Sequence, residues 1–203
     1  MRSLKVIWSS FRSLYDELFL MIGLSLLWWL AVVTIVAGPP ATTALASIGY
    51  RLGNGQRVGL DHAKESFLGH FWLSWKLGLA GLVGMAVIFG NIFFYNSLDN
   101  WLRTLVILFL YLAIAWIAIL LYVFPMPEAM ETPGALDILR NAAIMALASP
   151  GFTFLILLGL AIVLAICLAL PFLLLLIAPG IIAIISGTAL ADRIAVAEEK
   201  QNS

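Results

Sequence analysis

Residues 18–37 form an unbroken run of 20 residues without a charged side chain, and Gly38, Pro39 and Pro40 follow at once. About 20 apolar residues in a helix cross a bilayer core of ~30 Å. Proline lacks the amide donor and restricts the residue before it, so the triplet predicts a structural break. Beyond it, residues 41–52 are again mostly apolar or hydroxyl-bearing, but have only about half the length of a span. The first run is longer than the ~7–15 apolar residues of a signal peptide, and Gly-Pro-Pro makes a poor cleavage site. It is expected to stay in the mature chain.

Composition extends that reading to the whole sequence. Hydrophobic residues make up 63% and charged residues 11%, with a mean hydropathy of +1.07. A soluble domain has roughly 45–50% apolar and ~25% charged residues, so the sequence predicts an all-α, polytopic transmembrane helical bundle. Zero net charge removes the bulk attraction expected of a nucleic-acid partner and leaves the lipid bilayer as the first partner. The single cysteine, Cys167, excludes an intrachain disulfide and reads as a small buried hydrophobe.

Taken in order, the chain predicts one transmembrane domain over residues 1–203. Residues 1–17 read as an interfacial amphipathic helix, with Leu4, Trp8, Phe11 and Tyr15 at helical spacing and Arg2, Lys5 and Arg12 as its cations. Span 1 covers 18–37, and 41–52 is a short re-entrant helix. Residues 60–95 combine an amphipathic lead-in with span 2: Asp61 is the expected cap, and Leu60, Phe67, Phe71 and Trp75 the expected apolar stripe. Trp72, Trp75 and Lys76 read as interfacial anchors at its start.

Span 2 is rich in small residues, among them Gly78, Gly81, Gly84 and Gly90, which let helix backbones approach closely in lipid. Packing within the chain is the expected use, and a homo-oligomer face the alternative. Asn91, the one strongly polar side chain there, is expected to bond a neighbouring helix. Span 3 covers 101–124, with Trp101 as an anchor. Thr132 and Pro133 predict the start of a surface helix over 133–148, with Leu136, Leu139, Ala143 and Leu147 on one face.

Residues 152–190 contain no charge. A single helix of that length would extend about 58 Å, twice the hydrocarbon thickness. The run therefore reads as a hairpin, span 4 over 152–170 and span 5 over 172–190, turning at Pro171 with Pro179-Gly180 as the alternative. Residues 191–203 form a polar tail.

Orientation follows from the basic residues. Five plain spans with the amino terminus inside would leave most of the 11 Lys and Arg outside, against the positive-inside rule. If 41–52 returns the chain to its starting side, only Arg103 lies outside. That predicts five full spans plus one re-entrant helix, with both termini in the cytoplasm.

Chemistry is sparse. His62 and His70 are the only histidines and lack the tight spacing of a metal pair. There is no HExxH, nucleophile elbow or phosphate-binding loop. No catalytic residue, cofactor or metal site is predicted, and the expectation is a non-enzymatic protein. Apart from Arg103 at the start of span 3, the expected spans contain no Asp, Glu, His, Lys or Arg, which argues against a self-sufficient ion-coupled transporter. Ser25, Thr34, Thr42, Thr43, Ser47 and Asn91 could line a passive path beside the broken helix. The alternative is that the hydroxyls satisfy backbone groups freed by the double proline.

Three stretches carry a resemblance: Leu26-Leu27-Trp28-Trp29; the segment Ala37-Gly38-Pro39-Pro40-Ala41-Thr42-Thr43-Ala44-Leu45; and Arg51 with Gly53-Asn54-Gly55, followed by Phe67 and Phe71. Together they resemble the YesL-like family of small bacterial membrane proteins. Ser25 stands where that family usually has Asn, and Pro40 is an inserted second proline. The likeness covers residues 18–78 in motif. It implies a bacterial inner-membrane protein that accompanies carbohydrate-uptake systems, with a sugar-uptake permease as partner, and it carries no catalytic residues with it.

Overall fold

The computed structural model describes residues 18–98 and 101–201. The expected interfacial helix 1–17, with Trp8, lies outside the described residues. Among the described residues every regular element is helical: α1 (Leu18–Val33), α2 (Gly38–Gly53), α3 (Leu60–Gly69), α4 (Phe71–Asn96), α5 (Leu105–Val123), α6 (Ala135–Ala148), α7 (Pro150–Ala169), α8 (Pro171–Leu176) and α9 (Ala178–Gln201). Short 3₁₀ turns at Trp101–Thr104 and Met126–Ala129 flank α5.

Among the described residues four stretches are long and apolar enough to cross a membrane: Phe71–Asn96, Trp101–Val123, Pro150–Ala169 and Ala178–Glu199. The first apolar helix, at 16 residues, falls short of the expected span over 18–37.

The prolines explain most of the shifted boundaries. The break after α1 falls at residues 34–37, and Gly38, Pro39 and Pro40 open α2 rather than separating it from α1. A proline in the first helical turn loses nothing, because the amides there have no intrahelical acceptor. Hence α2 has 16 residues, longer than the expected 41–52. Pro150 likewise opens α7, and Pro171 opens α8. The apolar run 152–190 breaks twice, at Leu170 and Ile177, so the expected fifth span is α8 plus the first half of α9. Helix α9 continues through most of the expected tail.

Two caps differ from expectation. Gly59, not Asp61, precedes α3, and Gly134, not Thr132, precedes α6. The lead-in and second span are separate helices, divided at His70. The buried face of α6 is Ile138, Ala142 and Ala146, whereas Leu136 and Leu147 of the expected face are exposed.

The buried centre of the fold is α2, packed by α1, α3, α4 and α9. Its side chains from Thr43 to Ile48 are all buried. The closest crossing is with α9. A Cβ at Gly49 would fall on the Ala183 carbonyl, and one at Gly187 on the backbone of Gly49 and Tyr50. A Cβ at Gly53 would lie 2.8 Å from Thr188 Cα. Gly49 and Gly53 are four apart, as are Ala183, Gly187 and Ala191, so each helix presents a strip of small residues to the other.

Three of the four glycines of α4 pack inside the chain, Gly78 against Pro39, and Gly90 faces open space. Gly81 abuts Leu120, Gly84 abuts the Trp116 ring, and Trp116 Nε1 donates to the Gly81 carbonyl at 3.2 Å. Farther along the same pair, Tyr95 stacks on Phe109 with centroids 5.5 Å apart.

Candidate functional site

The polar side chains singled out above converge on the α1–α2 hairpin and its neighbours. Thr42 Oγ1 donates to the Gly38 carbonyl at 3.0 Å and accepts from Trp28 Nε1 at 3.0 Å. Thr43 Oγ1 donates to the Pro39 carbonyl, and Ser47 Oγ to the Thr43 carbonyl. Ser47 also meets Ser66 of α3, oxygen to oxygen at 2.8 Å. Ser25, wholly buried, accepts from the Gly180 amide in the first turn of α9. Thr34 is exposed and donates to the Ala31 carbonyl.

These bonds alter the expectation for the hydroxyls. Pro39 and Pro40 free the carbonyls of Ile35 and Val36, four residues earlier. The Ile35 carbonyl accepts from the Gly38 amide at 3.2 Å, and the Val36 carbonyl from Trp75 Nε1 at 3.0 Å. The threonines instead bond carbonyls one turn further on. Trp75 is thus a tie between α4 and the hairpin turn. Trp72, Lys76 and Trp101 project outward.

Asn91 does not reach another helix: its Nδ2 donates to the Val87 carbonyl of its own helix at 2.8 Å. His62 and His70 contribute to no metal cluster, and among the described residues no group of three His, Cys, Asp or Glu could hold one. Cys167 is buried and free.

Two charged clusters went unnoticed in the sequence. At the end of α2, Arg51 grips Glu128 of the Met126–Ala129 turn through Nε at 2.8 Å and a second nitrogen at 2.6 Å. On α9, Arg193 donates to Ser149 and Asp192 and lies 3.8 Å above the Phe152 ring centroid. A guanidinium over an aromatic face is attracted by the ring quadrupole. Both contacts join residues far apart in sequence, which local pattern does not announce.

Among the described residues two cavities flank the hairpin. One, about 430 Å³, lies between α1, α2 and α3, with Leu27, Trp28, Ala41 and Phe67 in its walls and Asp61 and Lys64 at its edge. The other, about 280 Å³, lies between α1, α2, α5 and α9, with one residue each from α7 and α8, and is almost wholly apolar. Trp28 and Leu45 line both, so the Trp28 indole pinned by Thr42 divides them. In the smaller cavity, Trp29 Nε1 is buried without a partner.

Comparison with protein-family models, curated proteins and solved structures finds no match. The described residues define a class: a helical protein with four helices long and apolar enough to cross a membrane, arranged around a short, polar, buried helix.

Proposed function

We propose that the chain is a non-enzymatic integral membrane protein, an accessory component associated with carbohydrate uptake. The link to carbohydrate uptake rests on the resemblance of residues 18–78 to the YesL-like family. What favours an accessory role over a passive solute path is one observation: Ser25, Thr42, Thr43 and Ser47, four of the six polar side chains that could line such a path, are engaged inside the fold. Thr42, Thr43 and Ser47 bond carbonyls of α2, and the Gly49–Gly187 crossing leaves no room for solute between α2 and α9. The cavities beside the hairpin expose mostly apolar atoms, which offer a hydrated sugar no hydrogen bonds in exchange for water.

The reading is tested by gentle affinity purification from the native bacterial membrane, followed by mass spectrometry. A permease or solute-binding protein in stoichiometric amount is the expected result. A homo-oligomer with nothing else bound, and solute flux in proteoliposomes, would replace it with the passive-path reading.

We also infer the topology. Ten of the 11 basic residues share the cytoplasmic face if the α1–α2 hairpin returns to the side it left, and Arg103 alone lies opposite. The Trp75–Val36 bond and the Gly78–Pro39 contact hold the hairpin turn against the first turns of α4. From Gly78 to Asn96, α4 runs on for roughly 27 Å at 1.5 Å per residue. A hairpin that stops where α4 starts to cross does not reach the far face. This revises the fivefold count to four crossing segments plus a re-entrant hairpin made of both α1 and α2.

A further inference from the structure

The larger cavity is an apolar trough with both signs of charge in its lining. Its floor is α2, through Ala41, Ala44 and Leu45, and its walls are α1 and α3. Leu27 and Leu60 on its walls are about half exposed. Asp61 and Lys64, three apart on α3 and both exposed, line the same trough. Among the described residues neither makes an ion pair or side-chain hydrogen bond, with each other or elsewhere. Two opposite charges one turn apart that face a common groove and leave each other unpaired present a carboxylate acceptor and an ammonium donor side by side.

We propose that this trough is a binding site for a phospholipid with a phosphoethanolamine headgroup. The headgroup phosphate pairs with the Lys64 ammonium, and the headgroup ammonium donates to the Asp61 carboxylate. One acyl chain lies along Ala41 and Ala44 toward Trp28. The volume of about 430 Å³ falls within the ~300–1,000 Å³ of small-ligand sites, whose pattern is an apolar body with a few placed polar groups. A wholly anionic headgroup would satisfy Lys64 but set a negative charge against Asp61. A choline headgroup carries no N–H to donate to the carboxylate. The site goes beyond the accessory role proposed above and stands or falls separately from it.

The test uses the full chain in detergent and phospholipids brominated on the acyl chain, with ethanolamine, glycerol or choline headgroups. The readout is quenching of Trp28 fluorescence, taken as wild type minus Trp28→Phe. The expected result is saturable quenching by the ethanolamine lipid, with Lys64→Gln and Asp61→Asn each weakening binding about tenfold, the equivalent of one lost charge-assisted hydrogen bond. Both substitutions fall on exposed positions, so the fold survives them; circular dichroism verifies this. Equal quenching by all three headgroups, or affinity unchanged in both variants, would overturn the proposal by showing a groove with no headgroup recognition. Absence of saturable quenching would also overturn it and would mean that lipid does not enter the trough.

Discussion

At Ile35 the turn between α1 and α2 takes φ to +60°, where a β-branched side chain crowds its own backbone. Among the described residues it is the only non-glycine with positive φ. The strain is local and its cause is visible. The chain must reverse within residues 34–37, and Gly38, which could have taken that conformation freely, is already committed to α2. Ile35 is also exposed, so replacing it removes little packing. Ile35→Gly is therefore expected to stabilise the protein by about 1 kcal/mol, the strain relieved being larger than the added freedom of the unfolded chain. Val36→Gly, at a position without positive φ, is expected to destabilise it. Equilibrium unfolding in mixed micelles compares the two, and a loss of stability in Ile35→Gly would show that the turn is not strained in this way.

Between elements, the α2–α9 crossing concentrates the constraint. A methyl group at Gly49 has only backbone in front of it, at Ala183 and Ile184, and backbone cannot rotate aside as a side chain can. Gly49→Ala is expected to cost about 3 kcal/mol, the upper part of the range for overpacking. Gly90→Ala meets nothing within 4 Å and is expected to be neutral, or to gain up to about 1 kcal/mol from helix propensity. The same unfolding measurement decides, and equal effects at the two sites would refute the close crossing. This pair also shows what the sequence made legible. Helix identity followed from apolar runs and prolines, because those act within a few residues. The glycine-rich run of α4 drew attention by density, and its packing against α5 is the kind of contact expected of it. Gly49, Gly53 and Gly187 carried the tighter contact with less density. Their partners lie more than 130 residues apart in the chain, and spacing along one helix cannot say which helix it meets. The Trp75–Val36 and Arg51–Glu128 ties were hidden for the same reason.

For the whole molecule, charge and packing make separate demands on the same topology. Charge asks only that the α1–α2 hairpin begin and end on one side, so it is indifferent to how deep the hairpin reaches. In the proposed topology packing supplies the depth, because Trp75 and Gly78 hold the turn at the start of α4. The two demands yield distinct outcomes in one experiment. Cys167 is buried in the core, so a Cys167→Ala chain provides a background for single cysteines at Gln56, Ser97 and Ile35. A membrane-impermeant maleimide added to intact cells is expected to label Ser97→Cys and to leave Gln56→Cys and Ile35→Cys untouched. In inverted vesicles Gln56→Cys is expected to react and Ser97→Cys not. Labelling of Gln56→Cys from outside would overturn the charge argument and with it the orientation of every helix. Labelling of Ile35→Cys from outside, with Gln56→Cys still protected, would leave the orientation intact. It would then restore α1 as a full crossing and put Trp75, bonded to Val36, near the far face, so that the chain is already across the bilayer at the start of α4.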